Sequence, residues 1–279
     1  MGRKHGDLAD LFDLSGKVAV VTGGGGVLLG TISKALGRVG VKVAILDLIL
    51  KAARKVEHEI VSAGGEAIAV KCNVLDKTSL EAACRTVQKR FGRLDILLNG
   101  AGGNRKEATT RPDLSFFELT PEAVQSVFEL NFMGTLLPSQ VFGRVLAEQG
   151  EGVILNISSM NASRPLTKIP AYSAAKAAVT NFTQWLAVHM SREYSDKIRV
   201  NAIAPGFFMT QQNRFLLTDE ATGRLTPRGK SIIDHTPMAR FGTPEDLIST
   251  VLWLLSPGAA FVHGVVVPVD GGFSAFSGV

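Results

Sequence analysis

The chain has 279 residues, 46% of them hydrophobic, and a formal net charge of +5 at pH 7. This length suits one large α/β domain or two small ones, and the apolar fraction is ample for a core. Lysine and arginine are scattered among acidic residues, so nothing supports nucleic-acid binding. An anionic small substrate would suit the sign of the charge.

Cysteine content and hydropathy indicate where the protein works. Cys72 and Cys84 are the only cysteines, too few for a disulfide framework, and neither has histidine or cysteine neighbours at zinc-ligand spacing. The first residues are charged and lack the apolar stretch of a signal peptide, and no run approaches the ~20 apolar residues of a membrane span. We therefore expect a cytoplasmic protein with no metal and no membrane partner.

A glycine-rich turn lies near the N-terminus. The β-branched run from Lys17 to Thr22 stops at four glycines, Gly23 to Gly26, and a helical pattern follows to about Gly40. A strand, a tight turn and a helix N-terminus present backbone N–H groups and a positive dipole end to a pyrophosphate. Taken alone, the glycines would also fit a plain flexible turn.

The second predicted strand, Val41 to Leu46, ends on Asp47, about 20 residues beyond the turn. A carboxylate at this position accepts hydrogen bonds from an adenosine ribose and repels a 2′-phosphate. Leu48 follows instead of a neutralising arginine, which favours NAD(H). Lys51 and Arg54 leave NADP(H) open.

Further strands and helices alternate along the chain. Strands are predicted at 66–71, 94–98, 152–157, 197–202 and 265–269, a helix at 77–91, and a long helix from Thr120-Pro121. This order predicts right-handed crossovers and a single doubly wound parallel sheet of about seven strands with helices on both faces. Ligands lie outside the carboxyl ends of such strands, which places Asn73 and the loop from Asn99 to Gly102 beside the cofactor. Asn73 would otherwise cap a turn.

A polar stretch of about 35 residues separates Gly206 from the helix start at Thr243. A segment of this length inside a compact domain is a candidate substrate lid. We therefore predict one domain, 1–279, with a lid insertion at about 207–242.

A phenol and an ammonium stand four residues apart in the predicted helix that begins near Pro170. Tyr172 and Lys176 share one helical face, and a nearby cation is what a phenol needs to exchange protons at neutral pH. This spacing alone often marks a solvated helix face. A buried strand that ends in the hydroxyl of Ser159, together with the glycine turn, puts a nucleotide site and a proton-transfer pair in one domain.

Together these residues resemble the short-chain dehydrogenase/reductase family, from about Leu14 to the C-terminus. The family's glycine-rich turn corresponds to Thr22–Gly30, its Asn-Asn-Ala-Gly motif to Asn99–Gly102, and its Pro-Gly-x-x-x-Thr element to Pro205–Thr210. The resemblance implies a Rossmann-type fold, a homotetramer and four catalytic residues: Asn131, Ser159, Tyr172 and Lys176. Asn131 lies among apolar residues, so on its own it would equally be a satisfied core amide.

The same resemblance implies the cofactor-binding residues. They are Gly23, Gly26, Val27, Leu28, Asp47, Asn73, Val74, Asn99, Ala101, Gly102, Tyr172, Lys176, Pro205, Gly206 and Thr210. The chain departs from the family pattern at Val27 and Leu29, where glycines are usual, at Asn73 in place of Asp, and at Gly100 in place of the second Asn.

Five segments are similar to the subgroup of D-mannonate oxidoreductases, also called fructuronate reductases: 21–28, 158–162, 166–170, 182–189 and 269–279. The resemblance implies NAD(H)-dependent interconversion of a sugar acid and its keto form, with D-mannonate and D-fructuronate favoured. The alternatives are another short-chain reductase, such as a gluconate 5-dehydrogenase or a 3-oxoacyl reductase, and a non-catalytic NAD-binding regulatory protein. The four intact catalytic residues argue against the last.

A sugar acid needs a cationic partner, and Lys176 is already committed. Arg105 is the first choice, because it follows Gly102 by three residues and gluconate 5-dehydrogenases are similar in carrying Arg there. The planar guanidinium group of Arg105 can bind a carboxylate through two parallel hydrogen bonds. The alternative cations are Arg164, Lys168 and Arg214, and the candidates for binding substrate hydroxyls are Asn104 and Asn161.

Overall fold

The computed structural model describes residues 8–209, 217–219 and 222–278. Its centre is a seven-stranded parallel sheet in the order β3-β2-β1-β4-β5-β6-β7, which confirms the predicted doubly wound fold. The strands are β1 Val18–Thr22, β2 Lys42–Asp47, β3 Ala67–Lys71, β4 Ile96–Asn99, β5 Gly152–Ile157, β6 Ile198–Pro205 and β7 Val266–Val269.

The described helices are α1 Val27–Arg38, α2 Leu50–Ser62, α3 Lys77–Phe91, α4 Pro121–Phe128, α5 Gly134–Gln149, α6 Pro170–Glu193, α7 Pro227–Asp234 and α8 Ile248–Leu255. α3 has the predicted bounds, because Asp76 caps its first N–H groups and Gly92 ends it in the left-handed conformation (φ 77°). Among the described helices, none has the length and apolar character needed to cross a bilayer.

The helices cover both faces of the sheet. Along β1, Ala19 and Val21 face the core formed with α1, α2 and α8, whereas Val18 and Val20 face the core formed with α3, α5 and α6. This alternation is the period of two that a strand imposes on its side chains. Because both faces are buried, the strands read as apolar runs.

The long helix predicted from Thr120 is interrupted. Thr120 caps α4 by accepting a hydrogen bond from Ala123 N, as expected, but a π-turn at Glu129–Met133 separates α4 from α5. Asn131 lies in this turn, and its side-chain amide donates to Val127 O at 2.8 Å. Single π-turns inside α-helices are frequent at functional sites.

Two helices were not predicted. α2 begins without a side-chain cap, so its start had no sequence signal. α7 begins at Thr226-Pro227, a capping residue followed by proline, inside the segment assigned to the lid. Residues 210–216, 220 and 221 lie outside the described residues, and the lid at 207–242 remains a prediction.

Candidate active site

The site lies where the carboxyl ends of β1, β4 and β5 meet. Thr22 Oγ1, at the end of β1, accepts hydrogen bonds from Gly100 N (3.1 Å) and Ala101 N (3.3 Å) in the loop after β4. Gly23 has φ 64°, and a Cβ there would lie 3.0 Å from the Ala101 backbone. The glycine therefore permits the contact between the two loops.

The glycine turn and Asp47 together fit a dinucleotide. Gly26 precedes α1 and no side chain caps the helix, so its first-turn N–H groups remain available to an anion. Asp47 Oδ2 accepts a hydrogen bond from Gly25 N at 3.0 Å, and a Cβ on Gly25 would come within 2.9 Å of that oxygen. The Asp47 carboxylate thus lies directly beside backbone N–H groups that could bind a phosphate.

Two departures from the family pattern pack against each other. Leu29 is buried (6% exposed) although glycine is usual there, and a Cβ on Gly100 would lie 2.3 Å from Leu29 Cγ. The missing side chain at position 100 makes room for the additional one at position 29. The Leu29 side chain therefore lies in the interior beside the loop after β4. The glycine-rich turn accommodates leucine at this position because residue 100 is glycine.

The structure brings the four predicted catalytic residues together. Ser159 lies just after β5, is buried (7% exposed), and its hydroxyl is close enough to the Tyr172 phenol to influence the pKa of that phenol. Lys176 Nζ lies 5.7 Å from the Tyr172 ring centroid and donates to Ile157 O at 2.7 Å. A Cβ on Gly102 would lie 2.7 Å from Asn131 Oδ1 and 3.3 Å from Lys176 Nζ, so that glycine lets the loop approach both side chains.

Asn131 is both a satisfied core amide and part of this site. It is fully buried (0% exposed), donates through Nδ2 to Gly103 O at 2.7 Å, and accepts from Gly103 N at 3.1 Å. These reciprocal bonds attach the loop after β4 to the π-turn. The amide therefore fixes the backbone that lies against Lys176.

The electrostatics differ from the sequence expectation. Burial raises the pKa of the Tyr172 phenol, and its hydrogen bond with Ser159 opposes that shift. Burial also lowers the pKa of Lys176 to about 8. The net shift of the Tyr172 pKa is upward, opposite to the direction expected from Lys176, because burial dominates. A phenol protonated at neutral pH is the form needed to donate a proton.

The remaining residues predicted to bind the cofactor differ in their contacts within the protein. Asn73 Oδ1 accepts from Leu75 N at 3.1 Å, so its side chain caps a turn. Val74 is buried, and Pro205 ends β6. Gly206 follows, and a Cβ there would meet Asp270 Cβ at 2.6 Å. Thr210 lies outside the described residues.

The Asn99 side chain points away from the predicted cofactor site. It is buried (1% exposed) and donates to Ser139 Oγ and Asn156 Oδ1, each at 2.9 Å. It faces the helical layer, so any contact with a cofactor would come from the backbone. Sequence reasoning missed Asn156 and Thr183 in this cluster, although an amide inside the apolar run of β5 was a visible signal.

Among the cationic substrate candidates, Arg105 and Lys168 are exposed, and neither charged group has a hydrogen-bond or ion-pair partner in the described parts of the chain. Arg164 is exposed and donates through Nε to Ser274 O at 3.0 Å. Arg214 lies outside the described residues. Two cations near the site are therefore available to an anion.

The two amide candidates differ. Asn104 Nδ2 donates to Thr109 Oγ1 at 2.8 Å, within its own loop. Asn161 is buried (6% exposed), its backbone N–H donates to Ser159 Oγ at 3.3 Å, and its Oδ1 has no partner within the described chain. A buried amide oxygen without a partner is costly, which suits a ligand contact.

Fold and site define a class: an oxidoreductase built on a doubly wound, dinucleotide-binding sheet. A family model described as enoyl-(acyl carrier protein) reductase matches residues 30–274. An uncharacterized oxidoreductase, UxuB, from Bacillus subtilis is 49% identical over 96% of this chain and 98% of its own length. A 5-keto-D-gluconate 5-reductase from Escherichia coli is 34% identical over 94% and 97%.

A solved structure adds to these matches. A proposed D-mannonate oxidoreductase from Haemophilus influenzae, with bound NAD, is 47% identical and superposes with a TM-score of 0.90 over 96% of this chain and 98% of that chain. The chain belongs to the short-chain dehydrogenase/reductase family of oxidoreductases.

The lowered pKa of Lys176 predicts a pH dependence of stability. Between pH 8 and 10.5 the unfolded chain binds the lysine proton and the folded protein does not, so the wild-type free energy of unfolding gains a contribution as pH rises. Compared with Lys176→Met, the wild type should gain about 2–3 kcal/mol from pH 7 to 10 in urea unfolding. Parallel pH dependences in the two proteins would contradict a buried, desolvated ammonium.

Proposed function

We propose that the protein catalyses reversible hydride transfer between NAD(H) and a sugar acid, with reduction of D-fructuronate to D-mannonate as the favoured reaction. The observation that carries the proposal is the position of Lys176, whose Nζ lies 5.7 Å from the Tyr172 ring centroid and against the loop after β4 at Gly102. A proton-transfer group at the edge of a dinucleotide site is what carbonyl reduction requires.

Each catalytic side chain has one role. Tyr172 donates a proton to the carbonyl oxygen in reduction, and Ser159 hydrogen-bonds the same oxygen. Lys176 binds the nicotinamide ribose, and its positive charge acts against burial by lowering the pKa of Tyr172. Asn131 supports a water that connects Lys176 to solvent. The bound cofactor supplies the hydride. General acid–base help of this kind contributes roughly 10²–10⁴-fold.

NAD(H) is the proposed cofactor. Asp47 lies beside the glycine turn, where a carboxylate would bind ribose hydroxyls and repel a 2′-phosphate. The similar Haemophilus structure has NAD bound, whereas a 2-deoxy-D-gluconate 3-dehydrogenase structure that is 28% identical has NADP bound. The exposed Lys51 and Arg54 leave NADP(H) as a weaker alternative.

The sugar-acid assignment draws on the site and on the relatives. The free cations Arg105 and Lys168 suit a carboxylate, and the partner-free Oδ1 of Asn161 suits a hydroxyl. The Haemophilus structure supports D-mannonate. The Escherichia coli relative makes 5-keto-D-gluconate the second candidate substrate.

Assembly and location complete the proposal. A homotetramer would cover part of α6, on which Trp185 (56% exposed) and Val188 (63%) face outward. A cytoplasmic location suits the two unpaired cysteines, Cys72 and Cys84. The segment 207–242 is proposed to close over the substrate.

Replacing Tyr172 by Phe tests the chemistry. The variant lacks the proton donor but keeps the ring, so turnover of the best substrate should fall at least a hundredfold while NADH still binds. The wild type is first screened for NADH oxidation with D-fructuronate, 5-keto-D-gluconate and an acetoacetyl thioester, and Tyr194→Phe serves as the matched control. Retention of even a tenth of the wild-type rate by Tyr172→Phe would sink the assignment.

Asp47 sets the cofactor preference. Catalytic efficiency should be higher with NADH than with NADPH, and Asp47→Asn should raise the NADPH-to-NADH ratio by about tenfold or more, because the repelling charge is lost. Steady-state kinetics with both cofactors measures this. A wild type equally efficient with NADPH would refute the preference and implicate Lys51 or Arg54.

Arg105 tests how the substrate carboxylate is held. Arg105→Ala should lower catalytic efficiency on the sugar acid about ten- to a hundredfold and leave an uncharged ketose analogue nearly unchanged. Arg111→Ala is the matched control, because Arg111 lies in the same loop and already pairs with Asp113. Equal losses on both substrates would transfer the role to Arg164, Lys168 or Arg214.

A further inference from the structure

Four buried polar side chains form a hydrogen-bonded cluster between the sheet and the helices that cover it. Asn99 Nδ2 donates to Ser139 Oγ and to Asn156 Oδ1, and Asn156 Nδ2 donates to Thr183 Oγ1, all at 2.9 Å. None of the four is more than 5% exposed. We call Asn99, Ser139, Asn156 and Thr183 the polar cluster.

The polar cluster takes one residue from each of four elements. Asn99 ends β4 and pairs in register with Asn156 of β5, Ser139 lies on α5, and Thr183 lies on α6. Two of these elements, β5 and α6, also position catalytic groups, and α5 follows the π-turn that carries Asn131. β5 leads to Ser159, and Thr183 follows Lys176 by two helical turns and Tyr172 by three, on one helix face.

The two hydroxyl groups fix which groups donate and which accept in the hydrogen bonds of the polar cluster. Thr183 Oγ1 donates to Val179 O and Ser139 Oγ donates to Thr135 O, both at 2.8 Å, so each oxygen is left to accept from an amide. Thr135 Oγ1 in turn donates to Asn131 O at 2.9 Å. A continuous series of hydrogen bonds therefore joins the polar cluster to the π-turn of Asn131.

We propose that the polar cluster holds β4, β5, α5 and α6 in register and thereby sets the relative positions of Asn131, Ser159, Tyr172 and Lys176. Asn156 and Thr183 are positioning residues, since they contact neither substrate nor cofactor. Buried polar networks make a core rigid and specify one arrangement when their hydrogen bonds are satisfied. In the polar cluster both groups of the Asn156 amide are bonded, and Asn99 Oδ1 has no partner among the described residues. The inference rests on the catalytic roles given under the proposed function.

The test compares two substitutions of Thr183. Thr183→Val keeps the shape but leaves the Asn156 amide without its acceptor, whereas Thr183→Ser keeps the hydroxyl. Thr183→Val should lower the melting temperature by roughly 2–8 °C. It should also lower kcat about ten- to a hundredfold, with the KM for the ketone within twofold, because misplaced groups slow chemistry more than binding. Thr183→Ser should keep kcat within twofold of the wild type.

Two further variants separate positioning from stability. Ser139→Ala removes the hydrogen bond between Asn99 and α5, and it should show the same loss of kcat. If Thr183→Val does not fold, the kcat of Ser139→Ala alone tests the inference. Ile60→Val, in the core on the opposite face of the sheet, should lower the melting temperature without changing kcat.

Turnover is measured with any ketone that the wild type reduces, so failure of the sugar-acid assignment leaves this test intact. Wild-type kcat in both Thr183→Val and Ser139→Ala would overturn the inference and leave the proposed function standing. A loss of kcat in Thr183→Val that Thr183→Ser fails to restore would overturn it too.

Discussion

The close approach of the loop after β4 to Lys176 is the constraint on which the site depends. Gly102 allows it, the reciprocal bonds between Asn131 and Gly103 hold it, and the ammonium is left with Ile157 O as its described hydrogen-bond partner. Burying a cation with a single neutral partner opposes its charged form. Such a cost is typical of a functional site, where a bound ligand supplies the missing interactions.

The same loop shows how an altered motif is accommodated in the fold. Leu29 and Gly100 depart from the family pattern at positions far apart in the chain, and they meet side by side. The larger side chain lies in space that a side chain at position 100 would fill. No side chain caps the start of α1, so its backbone N–H groups remain available to an anion.

Local sequence signals predicted the sheet and the helix at 77–91, because periodicity and capping act over short distances. The family resemblance singled out Asn131, Ser159, Tyr172 and Lys176, which the structure places near one another. Local signals did not predict α2, which has no cap, or the π-turn at Asn131, whose side-chain bonds include one to a distant loop. The direction of the Asn99 side chain and the raised pKa of Tyr172 also escaped prediction. The direction of that side chain and the pKa of that phenol depend on burial in the folded protein, which a local sequence pattern does not show.

Isotope transfer is the most direct test of the proposed hydride transfer to a sugar acid. D-Fructuronate is incubated with the protein and NADH deuterated at the transferable position, and the product is identified by NMR. The expected product is D-mannonate that carries deuterium at the new carbinol carbon, with one deuterium for each NADH oxidised. Unchanged fructuronate, or a reduced product without deuterium, would contradict it.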